Sequence, residues 1–208
     1  MMDKDLTEGY LARNPANALL YPGAFEEDLL YGIRRMDEVT EVDARRSETM
    51  RVQVGPDEWK PLNVEAIQDF EAMKLNVLVS AGGAWPPPKK TILLERDSLY
   101  MTNAEVGDTI TVETADGKIK ELVISGLAHD MNKPPAAFMG SPFAYIGMDT
   151  LEWLGFEPYF SELQIQVEGD RYDEAHIRQV ADLVENKMEK AGLNVYWTWL
   201  PEPGKHPA

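Results

Sequence analysis

The 208-residue chain contains no cysteine, and that absence excludes three kinds of site. Disulfide-stapled scaffolds, cysteine-type zinc sites and thiol nucleophiles all require a side chain that this sequence lacks. The absence is compatible with a bacterial protein that works outside the cytosol, but many cytosolic proteins lack cysteine too. Cysteine content therefore narrows the chemistry and leaves the compartment open.

Long apolar runs are missing as well. No stretch of the sequence approaches the ~20 apolar residues that a helix needs to span a bilayer. Residues 1–5 do not provide the apolar core of a signal peptide. We therefore expect either a cytosolic protein or an excised fragment of a larger protein, and composition alone does not separate the two.

Positive charge is scarce, with 20 Lys and Arg against 36 Asp and Glu and a formal net charge of -16. A polyphosphate would be repelled by such a chain, so we expect no nucleic-acid partner. Flat binding to an anionic lipid surface is disfavoured for the same reason. The simplest interpretation of the charge is a well-solvated acidic surface.

Apolar and aromatic residues are plentiful enough for a folded protein. The chain is 44% hydrophobic and has five Trp, eight Tyr and six Phe, so we expect a folded chain rather than a disordered one. Its length suits one large domain or two small ones.

Two stretches of the sequence share a strand–helix–strand layout. The first has a strand at 17–21, a helix, and an extended run over 40–54; the second has a strand at 161–168, a helix ending at Gly192, and a final strand over 193–199. Residues at helical spacing on the expected buried faces are Phe25, Leu29, Ile33 and Met36 in the first helix and Ile177, Val180, Ala181, Val184, Met188 and Ala191 in the second. Leu163, Ile165 and Val167 alternate along the strand between them.

Such a pair of units predicts an α+β protein with a ferredoxin-like split βαβ domain. We assign its first half to residues 1–80 and its second half to residues 159–208.

Residues 81–158 have a different character and predict an inserted β-rich subdomain. Strands are expected at 91–96 and 143–146, with a hairpin over 110–124. Asp116-Gly117 favours a type I′ turn in that hairpin because both of its central residues must accept positive φ. Asp149 is expected to cap a short helix that Gly155 stops.

Several motifs in this order resemble the periplasmic core domain of MacB/FtsX-type ABC-transporter permeases. The resemblance is clearest from about residue 82 to the end, and residues 1–81 match mainly in layout. The motifs are Trp85-Pro86-Pro87, Ile92-Leu93-Leu94-Glu95-Arg96, Val106-Gly107-Asp108-Thr109, Gly126-Leu127-Ala128-His129-Asp130, Pro134-Pro135-Ala136, Asp149-Thr150-Leu151-Glu152-Trp153-Leu154-Gly155 and Pro201-Glu202-Pro203-Gly204-Lys205-His206-Pro207.

The resemblance implies the extracytoplasmic domain of a cell-membrane permease, with a βαβ "porter" part carrying a β-rich insertion. It implies that the domain lies between two transmembrane helices of its own chain. Its partners would be a cytoplasmic ABC ATPase, a second permease copy, and an extracytoplasmic protein or transported substrate. Such a domain passes ATP-driven motion outward and carries out no chemistry itself. The alternative is a small-molecule sensing or binding domain on the same scaffold.

Catalytic motifs are lacking. The sequence has neither a Gly-x-x-x-x-Gly-Lys-Ser/Thr phosphate loop nor a Gly-x-Ser-x-Gly nucleophile elbow. His129-Asp130 is the only adjacent acid–histidine pair, but neighbours in an extended chain point to opposite sides and do not converge on one atom. We therefore predict no catalytic, metal-binding or cofactor-binding residues, and an enzyme centred on His129 is the least favoured hypothesis.

The candidate partner contact is the loop 132–142, which prolines stiffen and which carries apolar side chains, together with residues 85–88. Proline lowers the ordering cost when a loop docks on a partner. The alternative is that Phe138 and Met139 fill the core of the insertion. The candidate contact residues are Trp85, Pro86, Pro134, Pro135, Phe138 and Met139.

Overall fold

The computed structural model describes residues 2–134 and 136–206 and divides the chain into two compact units. The first unit takes in Met1–Arg45, Met73–Val77 and Tyr159–Ala208, and the second takes in Arg46–Ala72 and Leu78–Pro158. The second unit is thus larger than the insertion expected at 81–158. It recruits 46–72 because β2 is unusually long and its later residues pair within the second unit.

The elements alternate along the chain. Its helices are α1 (Met2–Leu11), α2 (Glu27–Arg34), α3 (Ala136–Met139), α4 (Met148–Leu154) and α5 (Glu174–Lys190), with a 3₁₀ helix η1 at Arg96–Met101. The strands are β1 (Ala18–Pro22), β2 (Val39–Gly55), β3 (Glu58–Ile67), β4 (Val79–Gly83), β5 (Thr91–Glu95), β6 (Thr109–Glu113), β7 (Ile119–His129), β8 (Phe143–Gly147), β9 (Glu162–Val167) and β10 (Val195–Trp199).

The first unit is a layer of strands packed against helices. Its strands lie in the order β10-β1-β9-β2, and every neighbouring pair is antiparallel. Asp173 caps the start of helix α5, because its carboxylate accepts from the backbone N–H groups of Ala175 and His176. The helix buries five of the six predicted residues; Ala191 is exposed, because the helix has ended one residue earlier.

The second unit contains a closed barrel. Its strands pair in the cycle β2-β3-β8-β5-β7-β6 and back to β2, with parallel pairs β3–β8 and β5–β7. Strand β4 is added alongside β7. Side chains from all six barrel strands make up the core, including Val52, Val64, Leu94, Val112, Ile124 and Ile146.

The predicted hairpin is present as β6 and β7, but its turn differs from the expectation. The connection spans residues 114–118, and only Gly117 within it has positive φ, at 80°. Thr114 stabilises this longer turn, because its backbone carbonyl accepts from Gly117 N–H at 2.8 Å. The prediction of a two-residue type I′ turn was therefore wrong.

Helix α4 ends as predicted at Gly155, which adopts a φ of 100°. The expectation that Asp149 caps the helix was wrong, since the capping position is Gly147 and Asp149 lies inside the first turn. A carboxylate there still interacts favourably with the positive end of the helix dipole.

No helix within the described ranges is both long enough and apolar enough to cross a membrane.

Candidate functional site

A group of buried and partly buried polar side chains lies on the second unit, and we call it the polar cluster. Strands β3, β5, β7 and β8 supply four members, and the segment after β7 supplies two more. Glu65 and Tyr145 are register partners in the β3–β8 pair, which places their side chains on the same face of the sheet. The members are Glu65, Glu95, His129, Asp130, Lys133 and Tyr145.

Glu65 and Tyr145 alternate with barrel-core residues along their strands. Val64, Ala66 and Ile146 face the core, so the two polar side chains lie on the outer face of the barrel wall. Both are nevertheless buried. The outer wall is therefore covered here, and the polar groups on it need partners within the protein.

Asp130 receives hydrogen bonds on both carboxylate oxygens. The Tyr145 hydroxyl donates to Oδ2 at 2.8 Å, and the Asn132 backbone N–H and side-chain amide donate to Oδ1 at 2.8 and 3.1 Å. Tyr145 is fully buried and Asp130 nearly so. These bonds fasten the start of segment 130–142 to strand β8.

Glu95 joins two elements through one carboxyl group. Its Oε2 accepts from the Asp97 backbone N–H at 2.6 Å and so caps η1, while its Oε1 lies 3.5 Å from His129 Nδ1. Burial raises the pKa of Glu95 to about 7, with a further contribution from the negative charges of Asp97 and Asp130. This carboxyl group therefore changes charge near neutral pH.

Further contacts within segment 130–142 are made by Lys133 and Ser141. Lys133 forms an ion pair with Glu65, and its ammonium lies 5.8 Å from the centre of the Phe143 ring. Ser141 Oγ accepts from the Asn63 side-chain amide at 2.8 Å. The segment is thus held to the barrel at both ends.

The middle of this segment carries exposed apolar side chains. Phe138 is 86% exposed and Met139 is 53% exposed, both on the one-turn helix α3. Helix α3 packs against η1, which carries Tyr100 at 62% exposure. We call Tyr100, Phe138 and Met139 the apolar surface. Tyr100 was not among the predicted contact residues, because nothing in the sequence links η1 to α3.

The other predicted contact residues have varied positions. Trp85 is half-buried with its ring edge-on to Phe70, at 5.2 Å between ring centres. Pro86 is exposed and Pro134 is partly buried. Pro135 lies outside the described residues. The hypothesis that Phe138 and Met139 fill the core was wrong, because both side chains point into solvent.

The adjacent residues His129 and Asp130 contact different partners. His129 lies beside Glu95, whereas Asp130 accepts from Tyr145, so the two neighbours engage different groups. Within residues 2–134 and 136–206, no three histidine or acidic side chains are arranged to hold a metal ion. The contacts of the cluster connect segments of the protein to one another.

Replacing Tyr145 by phenylalanine should lower the free energy of unfolding by about 2 kcal/mol, because a buried carboxylate loses one of its donors. Urea denaturation at neutral pH would measure the loss. Tyr100→Phe is the matched control, since the Tyr100 side chain is mostly exposed. Equal stability of the two variants would show that the Tyr145–Asp130 bond contributes nothing net.

Helices, an antiparallel layer and a closed barrel together define a mixed α/β fold, which can be compared with known proteins. No protein family profile matches the chain, and no curated protein is similar to it in sequence. Solved structures that are similar in fold include two domains of ABC-type transporters.

The extracellular domain of the noncanonic ABC-type transporter YknZ from Gram-positive bacteria has a TM-score of 0.55 and 14% identity, covering 88% of this chain and 100% of that one. The periplasmic region of MacB from Actinobacillus actinomycetemcomitans has a TM-score of 0.52 and 11% identity, covering 93% of each chain. The resemblance to MacB-type extracytoplasmic domains, inferred from sequence motifs, is therefore confirmed as a likeness of fold.

Proposed function

We propose that this chain is the extracytoplasmic domain of an ABC-transporter permease, and that it works without catalysis by passing ATP-driven motion to substrate or partner proteins. The fold likeness to two transporter domains over nearly the whole chain carries this proposal. Its partners would be the permease's own transmembrane helices, a cytoplasmic ATPase, a second permease copy, and an extracytoplasmic protein or the transported substrate.

We also propose that the first unit is a ferredoxin-like, porter-type domain. The split βαβ topology predicts the spatial order fourth-first-third-second for its four strands. Strand order β10-β1-β9-β2, with α2 after β1 and α5 after β9, supports that assignment. The barrel unit then corresponds to the β-rich insertion, enlarged by residues 46–72.

The apolar surface is the proposed contact for a partner protein. Protein interfaces are enriched in aromatic residues and methionine at their centres, and a rigid surface loses less entropy on docking. Tyr100, Phe138 and Met139 supply such side chains on two short helices that contact each other. The tethers of segment 130–142 hold this surface in place before any partner arrives.

The absence of cysteine allows a direct test of location. Phe138→Cys places the one thiol of these 208 residues at the most exposed position of the apolar surface. In cells with an intact cytoplasmic membrane, the native full-length protein carrying this change should react with a membrane-impermeant maleimide. Reaction confined to permeabilised cells would place the domain on the cytoplasmic side and overturn the proposal.

Two controls make the labelling interpretable. Ile146→Cys puts a thiol in the buried barrel core, where it should resist the reagent in intact and permeabilised cells alike. Tyr196→Cys puts a thiol at an exposed site of the first unit and should react as Phe138→Cys does. Sequencing the gene on both sides of these 208 residues would add an independent test, since flanking apolar runs of about 20 residues are expected.

Small-molecule binding is the second candidate, favoured by a cleft in the first unit. The cleft has a volume of about 500 Å³, within the range of ligand sites, and lies between the start of α5 and residues 200–203. Ile177, Leu200 and Pro201 give it apolar walls, and Arg178 gives it a cation. Stabilisation of the chain by several degrees with one compound of a metabolite set would favour this function.

A further inference from the structure

We infer that the polar cluster is a proton-operated latch, in which the charge on Glu95 sets how firmly η1 and segment 130–142 hold the apolar surface. The inference deepens the proposed partner contact and rests on it for its biological meaning. The latch itself is a property of the second unit alone and can be tested without a partner.

The geometry places one carboxyl group beneath both elements of the apolar surface. Through Oε2, Glu95 caps η1, which carries Tyr100. Through Oε1, it faces His129 at the end of β7, where the chain enters segment 130–142 and continues to Phe138 and Met139. A change in the charge of Glu95 therefore alters a contact at the start of η1 and a contact at the start of segment 130–142 at the same time.

Charged groups from η1, and from the end of β7 and the residue after it, lie near Glu95. On η1 these are Arg96 and Asp97, and on or after β7 they are His129 and Asp130. Strand β8 brings the Tyr145 hydroxyl to Asp130, and strand β3 brings Glu65, which pairs with Lys133. With Arg96 and Asp97 of η1 added, the polar cluster brings together four carboxyl groups, the cations of Arg96 and Lys133, and the imidazole of His129.

The direction of the latch follows from the burial of Glu95. The pKa of this carboxyl is raised to about 7, so it is neutral in mildly acidic solution. A neutral carboxyl can direct its O–H as a hydrogen-bond donor toward His129 Nδ1, when that nitrogen carries no proton, and still accept from Asp97 N–H through its other oxygen. Above neutral pH the same group becomes a buried anion beside Asp97 and Asp130, which burial and like charge both disfavour. We expect the apolar surface to be held firmly below about pH 7 and loosely above it.

A nitroxide on Met139→Cys, read by electron paramagnetic resonance on the full chain, would test the latch. Met139 lies on the apolar surface, so the spin label reports the motion of α3 directly. On raising the solution from about pH 5.5 to about pH 8.5, the mobile spectral component should grow at least twofold, with a midpoint near the Glu95 pKa of about 7. A nitroxide at Tyr196→Cys in the first unit should show no such change.

Glu95→Gln gives the decisive comparison, because glutamine keeps the shape and the acceptor for Asp97 N–H but cannot ionise. In this variant the Met139 label should stay immobile across the whole pH range. His129→Gln is the second variant: the transition should persist, because burial and the charges of Asp97 and Asp130 raise the pKa of Glu95 without the imidazole.

Two results would overturn the latch. One is a Met139 label whose mobility does not depend on pH in the wild-type background. The other is an unchanged pH transition in Glu95→Gln. Failure of the proposed function has a different signature, because maleimide labelling would then place the domain inside the cell while the pH transition remained intact.

Discussion

Replacing Gly126 by alanine should lower the free energy of unfolding of the second unit by about 3 kcal/mol, because the added methyl group has no room. A Cβ at this position would lie 2.5 Å from the Gly82 carbonyl oxygen and 3.1 Å from Ala84 N. Both neighbours are backbone atoms: Gly82 belongs to β4, and Ala84 follows it directly. The added methyl group can therefore be accommodated only if β4 moves away from β7. Loss of β4 would also displace the chain that leads to Trp85.

Amide hydrogen exchange offers the sharper readout of this change. In Gly126→Ala, the backbone N–H groups of β4 and of Ala84 should lose protection before the barrel core does, since Ala84 N–H donates to Ser125 at 2.8 Å in the native pairing. Urea denaturation would give the overall loss of stability.

Gly23→Ala is the matched control for this prediction. No atom lies within 4 Å of a Cβ built at Gly23, and its backbone does not have positive φ. Its stability should stay within about 0.5 kcal/mol of wild type. If the two glycine variants were equally stable, the close approach of β4 and β7 would not require glycine.

In strand β9, the alternation of apolar and polar residues predicts the burial of one face but not of the other. Alternation correctly predicted that Leu163, Ile165 and Val167 are buried on one face. The intervening polar residues are buried too, and Gln166 donates to the side chain of Asn14 at 2.7 Å. Alternation signals one apolar face, but burial of the polar face depends on segments that arrive from 152 residues away along the chain.

Strands β3 and β4 could not be predicted from local signals. Strand β3 contains Pro61, which lacks a ladder donor, and β4 ends in Gly82-Gly83. Both residue types argue against strands when only the sequence is known. The glycines of β4 are explained by the tertiary structure. Gly83 pairs with Gly126, and only a pair of glycines permits so close an approach of the two backbones. Missing β3 also misplaced the start of the second unit.

Only part of the candidate site could be predicted from the sequence. Phe138 and Met139 could be proposed because they are apolar residues in a loop that nearby prolines stiffen. The polar cluster could not, because Glu95 and His129 are 34 residues apart and gain significance only when β5 and β7 pair. An isolated glutamate after an apolar strand is ordinarily read as a solvated residue.

Replacing Glu95 by glutamine should make the protein more stable than wild type at about pH 8 and leave it nearly unchanged at about pH 5. The pKa of Glu95 is raised from 4.5 to about 7 in the folded protein, so between these values the folded state binds a proton that the unfolded state releases. Wild-type stability must therefore fall as pH rises through this window. Because glutamine does not ionise, the variant should not lose stability in this way as the pH rises.

The expected size is on the order of 3 kcal/mol across the window, since each tenfold difference in proton affinity corresponds to about 1.4 kcal/mol. Urea denaturation of both proteins at several pH values would measure it, and the quantity to compare is the difference between variant and wild type. Taking the difference removes the contributions of other carboxyl groups, among them Asp43, whose pKa burial also raises.

Glu105→Gln is the matched control, since Glu105 belongs to the second unit but lies outside the polar cluster and caps no helix. Its stability difference from wild type should stay flat with pH. If the Glu95→Gln difference were equally flat, Glu95 would titrate alike in the folded and unfolded chains, and its burial would cost the protein nothing. If instead glutamine destabilised the protein most at about pH 8, the ionised carboxylate would be the favoured form, and the His129 contact would act as an ion pair.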